Sequence, residues 1–366
     1  MCGEIMLLLR SRYCCLRQIV VLCLVGSVLL PLLLPLLSDS AHQDDDESIQ
    51  QQTTTVDEME TIQLERKNSL QENCNLSPID ETATVPASTS DPLFEPEIKA
   101  SRKIPAVIFI IDDKHRTMYC DVPKVASTNL KRLMLVLSGA VVLNTTNLSS
   151  IPKGKVHNRN PMRTLNAKHF NDTLIVGNDY TKFFFVRHPF ERLVSAYQNK
   201  LASNNTIFNK MVGKKIIRKY RHNATAISMR KGHDVTFNEF VQFIVDEWRN
   251  GSKPLDAHWR PVVDLCLPCV MQYDFIGKFE TLNRDVEYLL RRKWNESQWI
   301  GLFDSQPKAK TTSSLWKQTM KLISAEQLSQ LNEVYDRDFR LFQYPHYYET
   351  TTQPLDDQSF HENEYI

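Results

Sequence analysis

Glycine is scarce in this sequence, at 10 of 366 residues, and it nowhere falls in the G-x-x-x-x-G-K-[ST] spacing that cradles nucleotide phosphates. That absence argues against an ordinary ATPase or kinase, as does the lack of an obvious pair of metal-binding carboxylates. Metal-ligand spacings are missing too. Cys266-Leu-Pro-Cys269 is a C-x-x-C, but no second one and no H-x-x-x-H accompanies it to complete a zinc site. A structural disulfide is the favoured use, with pairing open among Cys74, Cys120, Cys266 and Cys269. No internal repeat is visible.

Charge is absent from positions 19 to 37, a run almost entirely of Leu, Val and Ile. Its length suffices to span a hydrocarbon layer of about 30 Å. Arg10, Arg12 and Arg17 precede it and place the N-terminus in the cytosol, while Asp39 and the acidic stretch 44–47 follow. Pro31 and Pro35 admit a cleaved signal peptide as a rival. The length of the run and the lack of a clean A-x-A site favour an uncleaved anchor. The expected organisation is a cytosolic tail at 1–18, a transmembrane signal-anchor at 19–37, a lumenal stem at 38–102, a folded domain at 103–348 and an acidic tail at 349–366. Triplets of the form N-x-S/T begin at Asn75, Asn144, Asn147, Asn171, Asn204, Asn223, Asn250 and Asn295 and agree with a lumenal location; Pro78 weakens the first.

The net charge of +1 conceals a strong segregation. Residues 39–100 hold 15 acids against 3 bases, whereas 101–348 hold 38 Lys+Arg against 22 Asp+Glu. A body so basic attracts polyanions. Nucleic acid is the usual partner, but a lumenal protein rarely meets it, so a sulfated or carboxylated glycan is the better expectation. The stem, rich in Gln, Thr, Ser, Asp and Glu, reads as flexible and too polar to bury a core.

Beyond it the chain alternates strands and helices. Val107 to Ile111, Thr117 to Val122, Phe183 to Val186 and Tyr273 to Ile276 read as strands. Leu130, Leu133, Met134 and Leu137 give a helix face, and Phe190, Leu193, Val194, Tyr197 and Leu201 give another. A further helix is expected near Leu282 to Leu290. Thr236-x-x-Glu239 and Ser324-x-x-Gln327 are capping boxes. The pattern predicts an α/β three-layer domain around a central parallel sheet.

Two strand-to-helix turns carry the chemistry. In Val122-Pro-Lys-Val-Ala-Ser-Thr-Asn-Leu-Lys-Arg132 the chain turns at once into a helix, whose first amides and dipole hold an anion. Lys124 adds a mobile charge, and Ser127 and Thr128 add hydroxyls: P-loop-like work without the glycines. Taken alone, a capped helix with a surface lysine explains this turn equally well. The second turn, in Phe185-Val-Arg-His-Pro-Phe-Glu-Arg-Leu-Val-Ser-Ala-Tyr197, sets Arg187 at the end of a parallel strand, where α/β sheets bind ligands. Pro189 suits a helix start, and Arg192 and Ser195 follow on neighbouring turns. Arg187 and Ser195 are placed to grip a second phosphate. The competing reading pairs Arg192 with Glu191 or another surface acid.

These two segments resemble the cofactor motifs of Golgi carbohydrate sulfotransferases, in the branch of the chondroitin and dermatan 4-O-sulfotransferases and the glucuronyl 3-O-sulfotransferase of the natural killer epitope. A third stretch strengthens the likeness: His258-Trp259, Leu265-Cys-x-Pro-Cys269 and Tyr273-Asp-x-Ile-Gly-Lys-x-Glu-Thr281. The resemblance covers about residues 103–345 and makes 103–348 the sulfotransferase domain. It implies 3′-phosphoadenosine 5′-phosphosulfate (PAPS) as donor. Lys124, Val125, Ala126, Ser127, Thr128 and Asn129, with Pro123, would hold the 5′-phosphosulfate; Arg187 and Ser195, with the neighbouring His188, Pro189 and Arg192, would hold the 3′-phosphate. Relatives often carry Cys and Trp at the positions of Ser127 and Leu130, and an acid at that of His188. A hydroxyl and an apolar side chain preserve the first two roles; His188 bears on acceptor choice.

Sulfuryl transfer parallels phosphoryl transfer, with charge building on the oxygen that leaves. Lys124 is placed to neutralise it, and because lysine and amides can meet the donor's charge, no metal is required. The acceptor hydroxyl needs a general base, for which His258, His115, His188 and Glu280 are candidates, His258 foremost. The expected acceptor is chondroitin, at the 4-O position of N-acetylgalactosamine, on the Golgi membrane's lumenal face. Dermatan and a terminal glucuronic acid are the alternatives. A glycan-binding protein with a dead nucleotide site is the reading from another class, opposed by intact Lys124, Arg187 and Ser195.

Overall fold

The structure, a computed structural model, describes residues 58–74, 108–143, 147–157, 160–166, 179–203, 205–304 and 312–348. The apolar run at 19–37 and the acidic tail lie outside them. Among the described residues no helix is long and apolar enough to cross a membrane. The chain divides between Thr61 and Ile62; residues 58–61 are one helical turn, and the body from 62 onward carries everything below.

Five strands make one sheet in the order β3-β1-β2-β4-β5: β1 (Ile108–Asp112), β2 (Thr117–Cys120), β3 (Arg163–Asn166), β4 (Thr181–Val186) and β5 (Phe275–Lys278). β2, β4 and β5 are mutually parallel, but β1 runs antiparallel to both β2 and β3. The sheet is therefore mixed rather than parallel, with β1 alone reversed. Only residues 113–116 join β1 to β2, too few for the crossover a parallel pair needs. The centre is aromatic and fully buried: Phe183, Phe184 and Phe185 are each 0% exposed. Gly277 of β5 is registered with Phe185, and a Cβ there would lie 2.2 Å from the phenyl ring, so the parallel pair closes only over glycine.

The parallel direction of β2, β4 and β5 brings their carboxyl ends out on one edge. The turns at 121–126, 187–188 and 279–281 line that edge side by side. Behind the second turn, the helix Pro189–Lys200 contributes Phe190, Leu193 and Val194 to a core shared with the helices Phe237–Asn250 and Ala325–Leu341. Both of the latter start at the expected capping boxes, Thr236 with Glu239 and Ser324 with Gln327. Each large apolar side chain buried there contributes about 1.5–3 kcal/mol, which holds the turns from behind.

The flexible stem needs correction. Residues 62–73 are helical and are built into the body. Arg66 is 6% exposed, and its Nη1 reaches the Ile276 carbonyl at 2.6 Å and Asp285 Oδ2 at 2.8 Å. The Gln63 amide pairs with the edge strand as a neighbouring strand would, donating to Ile276 O and accepting from Ile276 N. Cys74 is disulfide-bonded to Cys269, and Cys120 to Cys266, which settles the pairing. The physical reason is polar rather than apolar docking: the edge of β5 presents backbone groups that Gln63 and Arg66 satisfy.

Candidate active site

The first turn is strained where a P-loop would have glycine. Lys124 and Ala126 stand at φ 78° and 64°, a left-handed conformation rarely adopted by residues with a Cβ. Ala126 opens the helix Ser127–Leu137, and no side chain caps it and no acid sits in its first turn. The start of this helix is thus left electropositive. Burial and then the neighbouring Lys200, Arg187, Arg192 and Lys153 hold the Lys124 ammonium down to about 8. The charges bearing most on it are all cations, which is the electrostatics of an anion site.

The predicted residues of this turn divide in their roles. Ser127 is buried in the helix's first position, and Val125 is fully buried in the core. Thr128 Oγ1 lies 3.0 Å from His157 Nε2. Asn129 Oδ1 accepts from Arg132 Nη1 at 3.1 Å, and the Pro123 carbonyl accepts from Arg192 Nε at 3.0 Å.

In the second turn, Arg187 donates to the Lys124 carbonyl at 3.1 Å and to Glu191 at 3.2 Å, and lies 4.0 Å over the Phe279 ring. It ties the two turns together. Ser195 is half-buried, farther along the same helix, and Pro189 occupies that helix's first turn. Arg192 is not a ligand for phosphate. Its guanidinium is 1% exposed and donates to three carbonyls: Pro123, Ala257 at 2.9 Å and Arg260 at 2.7 Å. Nor does it pair with Glu191, which Arg187 neutralises.

His188 also leaves the predicted site. Its ring stacks on Trp316 at 4.7 Å between centroids, edge-on to Phe339 and Tyr344. Its Nδ1 is buried without a hydrogen-bond partner, and burial holds its pKa down to about 4. It packs against the C-terminal helix through Phe339. Two other candidate bases fall away. Glu280 uses one oxygen on His188 N and the other on Tyr344 Oη. His115, in the β1–β2 turn at the opposite edge of the sheet, is clasped by Asp112 and Glu296.

His258 remains, with a geometry suited to proton transfer. Asp256 Oδ1 accepts from its Nδ1 at 2.7 Å and from its backbone N at 2.9 Å. That bond fixes the tautomer and leaves Nε2 bare to accept a proton, the arrangement of an oriented imidazole base. Burial lowers its pKa, Asp256 opposes that, and Lys200 and Lys124 add to the lowering, so the ring stands within electrostatic reach of the first turn. Its loop is fixed from several sides. Arg192 holds Ala257 O and Arg260 O, Tyr335 Oη donates to Trp259 O at 2.5 Å, and Asp338 accepts from Val262 N and Val263 N at 2.7 and 2.9 Å. Arg192 thereby spans from the residue before Lys124 to the residue before His258. Arg192→Lys is expected to lower kcat by about a hundredfold and stability by about 2–4 kcal/mol, because an ammonium cannot serve three carbonyls in that fork. Steady-state kinetics alongside thermal unfolding checks this, and near-native turnover refutes the strut.

Sequence reasoning missed Asp256, Lys200 and His157. Asp256 two residues before His258 was the readable signal; the other two come to the site by folding alone. Among the described residues no cluster of three or more His, Cys, Asp or Glu is placed to hold a metal.

An α/β body with a lysine crowded by cations at an uncapped helix start, and an Asp–His pair within its electrostatic reach, has the chemistry of an anion site beside a proton acceptor. The chain belongs to the Sulfotransferase family, whose profile matches residues 108–345, and it is similar to carbohydrate sulfotransferases. It is 42% identical over 236 residues to carbohydrate sulfotransferase 11 of Rattus norvegicus, covering 64% of this chain and 66% of the relative. It is 34% identical over 285 residues to carbohydrate sulfotransferase 8 of Homo sapiens, covering 77% and 62%. With carbohydrate sulfotransferase 12 of Mus musculus the identity is 36% over 253 residues, covering 64% and 59%. The chain thus spans just under two thirds of these relatives' lengths. No solved structure matches it.

Proposed function

We propose that this protein transfers a sulfuryl group from PAPS to a carbohydrate hydroxyl, most specifically O4 of N-acetylgalactosamine in chondroitin. The observation that carries the reading is the Lys124 ammonium, desolvated among cations at an uncapped helix start and within electrostatic reach of His258. The residues present fit the donor's charge: Lys124, Ser127, Thr128 and the first amides of their helix serve the 5′-phosphosulfate, and Arg187 with Ser195 the 3′-phosphate. His258 Nε2 takes the proton of the acceptor hydroxyl as its oxygen bonds to sulfur. Lys124 neutralises the bridging oxygen as the bond from that oxygen to sulfur breaks, leaving adenosine 3′,5′-bisphosphate. Arg187 and Arg192 keep the two turns and the His258 loop in register.

The basic body and the likeness to carbohydrate sulfotransferase 11 favour the chondroitin acceptor; dermatan and glucuronyl-terminated glycans are the alternatives. We assign the chain to the Golgi lumen as a type II membrane protein. Two disulfides agree with an oxidising compartment, and the described sequons at Asn147, Asn223, Asn250 and Asn295 are all exposed. The test is transfer of labelled sulfate from PAPS to desulfated chondroitin, dermatan and a glucuronyl-terminated oligosaccharide, with disaccharide analysis of the product. The expected label is 4-sulfated N-acetylgalactosamine; PAPS binding without transfer to any of the three removes the acceptor assignment, and no PAPS binding removes the donor.

A further inference from the structure

His157 ends the short helix Lys153–His157, outside both phosphate-binding turns, yet its ring reaches into the first of them. Four side chains form a chain of contacts there. Asp121, the first residue of that turn, pairs with Lys131 Nζ at 2.6 Å. Lys131 Nζ lies 3.2 Å from His157 Nδ1, and His157 Nε2 lies 3.0 Å from Thr128 Oγ1.

The proton positions follow from what each atom can do. An ammonium has donors and no lone pair, so Lys131 must donate to Nδ1, which is therefore bare. The remaining proton of the neutral ring sits on Nε2 and is given to Thr128 Oγ1. Burial first, and then the adjacent Lys131, lower the His157 pKa; Lys200 and Arg132 act in the same sense, and Asp121 alone opposes them. A hydroxyl that accepts from His157 keeps its own proton for another partner. Thr128 stands in the second position of an uncapped helix, beside the amides that meet the ligand.

We propose that His157 is a positioning residue for donor binding: with Lys131 and Asp121 behind it, it turns the Thr128 hydroxyl so that its proton points to the phosphate of the bound nucleotide. The inference rests on the donor site proposed above. Without the ring, Thr128 rotates freely and can spend its proton on a nearby carbonyl, the usual habit of a threonine in a helix. With it, the hydroxyl is held as a donor before the ligand arrives, and the ordering cost of binding falls.

Binding of adenosine 3′,5′-bisphosphate to the purified full-length chain, measured by calorimetry, tests the proposal, with thermal unfolding as the folding control. Thr128→Val is expected to weaken binding about tenfold and His157→Ala about fivefold, since a hydrogen bond to a charged group is at stake. The double variant should bind no more weakly than Thr128→Val alone, because His157 acts through that hydroxyl. His157→Gln, whose amide can donate to Oγ1, should recover part of the loss. In turnover, His157→Ala should raise KM for PAPS and leave kcat within about twofold, the signature of lost ground-state binding. Unchanged affinity in His157→Ala, or penalties that add in the double variant, overturns the positioning role and leaves the donor site standing. A collapse of kcat with affinity intact overturns it too, by placing the ring in the chemistry. Failure of the unaltered chain to bind the bisphosphate overturns the donor site itself.

Discussion

A chain shortened to begin at Ala100 should fail to fold stably, whereas one beginning near residue 56 should fold. The shorter form loses Arg66, Gln63 and Cys74 together. Asp285 is 0% exposed, and its Oδ2 accepts from Arg66, Lys278 N and Thr281 Oγ1. Removing the arginine leaves a buried carboxylate without its cation, a loss of about 3–5 kcal/mol. Loss of the Cys74–Cys269 bridge costs about 2–5 kcal/mol more. Together these approach the whole stability of a typical domain, about 5–15 kcal/mol. Secretion yield and thermal unfolding of the two forms give the answer. Arg66→Met separates the contributions, because it keeps the bridge and removes only the guanidinium with its charge and hydrogen bonds. Equal melting temperatures for the two truncations would show that the helix merely rests on the edge of β5.

That helix also shows where sequence reading fails. Its face toward β5 is carried by Gln63, Arg66 and Leu70, all buried and spaced by three and four. Two of the three are polar, so a search for apolar periodicity passes over them and the composition reads as stem. By contrast, Phe183 to Val186 and the two capping boxes were legible because their burial is apolar and their caps are local. The reversal of β1 was legible in principle from the four-residue loop at 113–116, but alternation of strands with helices pointed to a parallel sheet. β3, Arg-Thr-Leu-Asn, has no apolar alternation to announce it and exists through its pairing with β1.

At the site, residue type was legible and residue role was not. Lys124 stands in the turn after β2, Thr128 at the start of the helix that follows, and His258 within electrostatic reach of Lys124. Arg192 and His188, chosen by adjacency to the same motif, are spent on backbone carbonyls and on aromatic packing. A sequence shows that a cation is present; only its partners show whether the charge faces a ligand or the interior. Arg192, with its three carbonyls, faces the interior, while Lys124, crowded by cations, can be relieved only by an anion.

Lys124→Ala is expected to lower kcat/KM for PAPS by about a thousandfold or more, the scale of removing a donor from a developing oxyanion, with the fold retained as judged by thermal unfolding. The pH profile gives the sharper test. In the free protein Lys124 sits at about 8, below the ordinary lysine value, so it is charged at neutral pH and loses its proton as pH rises through 8. His258 is depressed below the ordinary histidine value, so it is already the neutral, proton-accepting ring at pH 7 and fails only in acid. The profile of kcat/KM should therefore be bell-shaped, with an acid limb below the ordinary histidine range from His258 and an alkaline limb at about 8 from Lys124. Bound phosphates favour the ammonium, so in kcat the alkaline limb should move upward. The same linkage makes bisphosphate binding take up protons as pH rises through about 8, measurable by calorimetry in buffers of different ionisation enthalpy. Lys124→Arg, which keeps its charge throughout, should lose the alkaline limb whatever activity it retains. If that limb persists in Lys124→Arg at the same pH, another group governs it, and Lys124 does not carry the charge on which transfer depends.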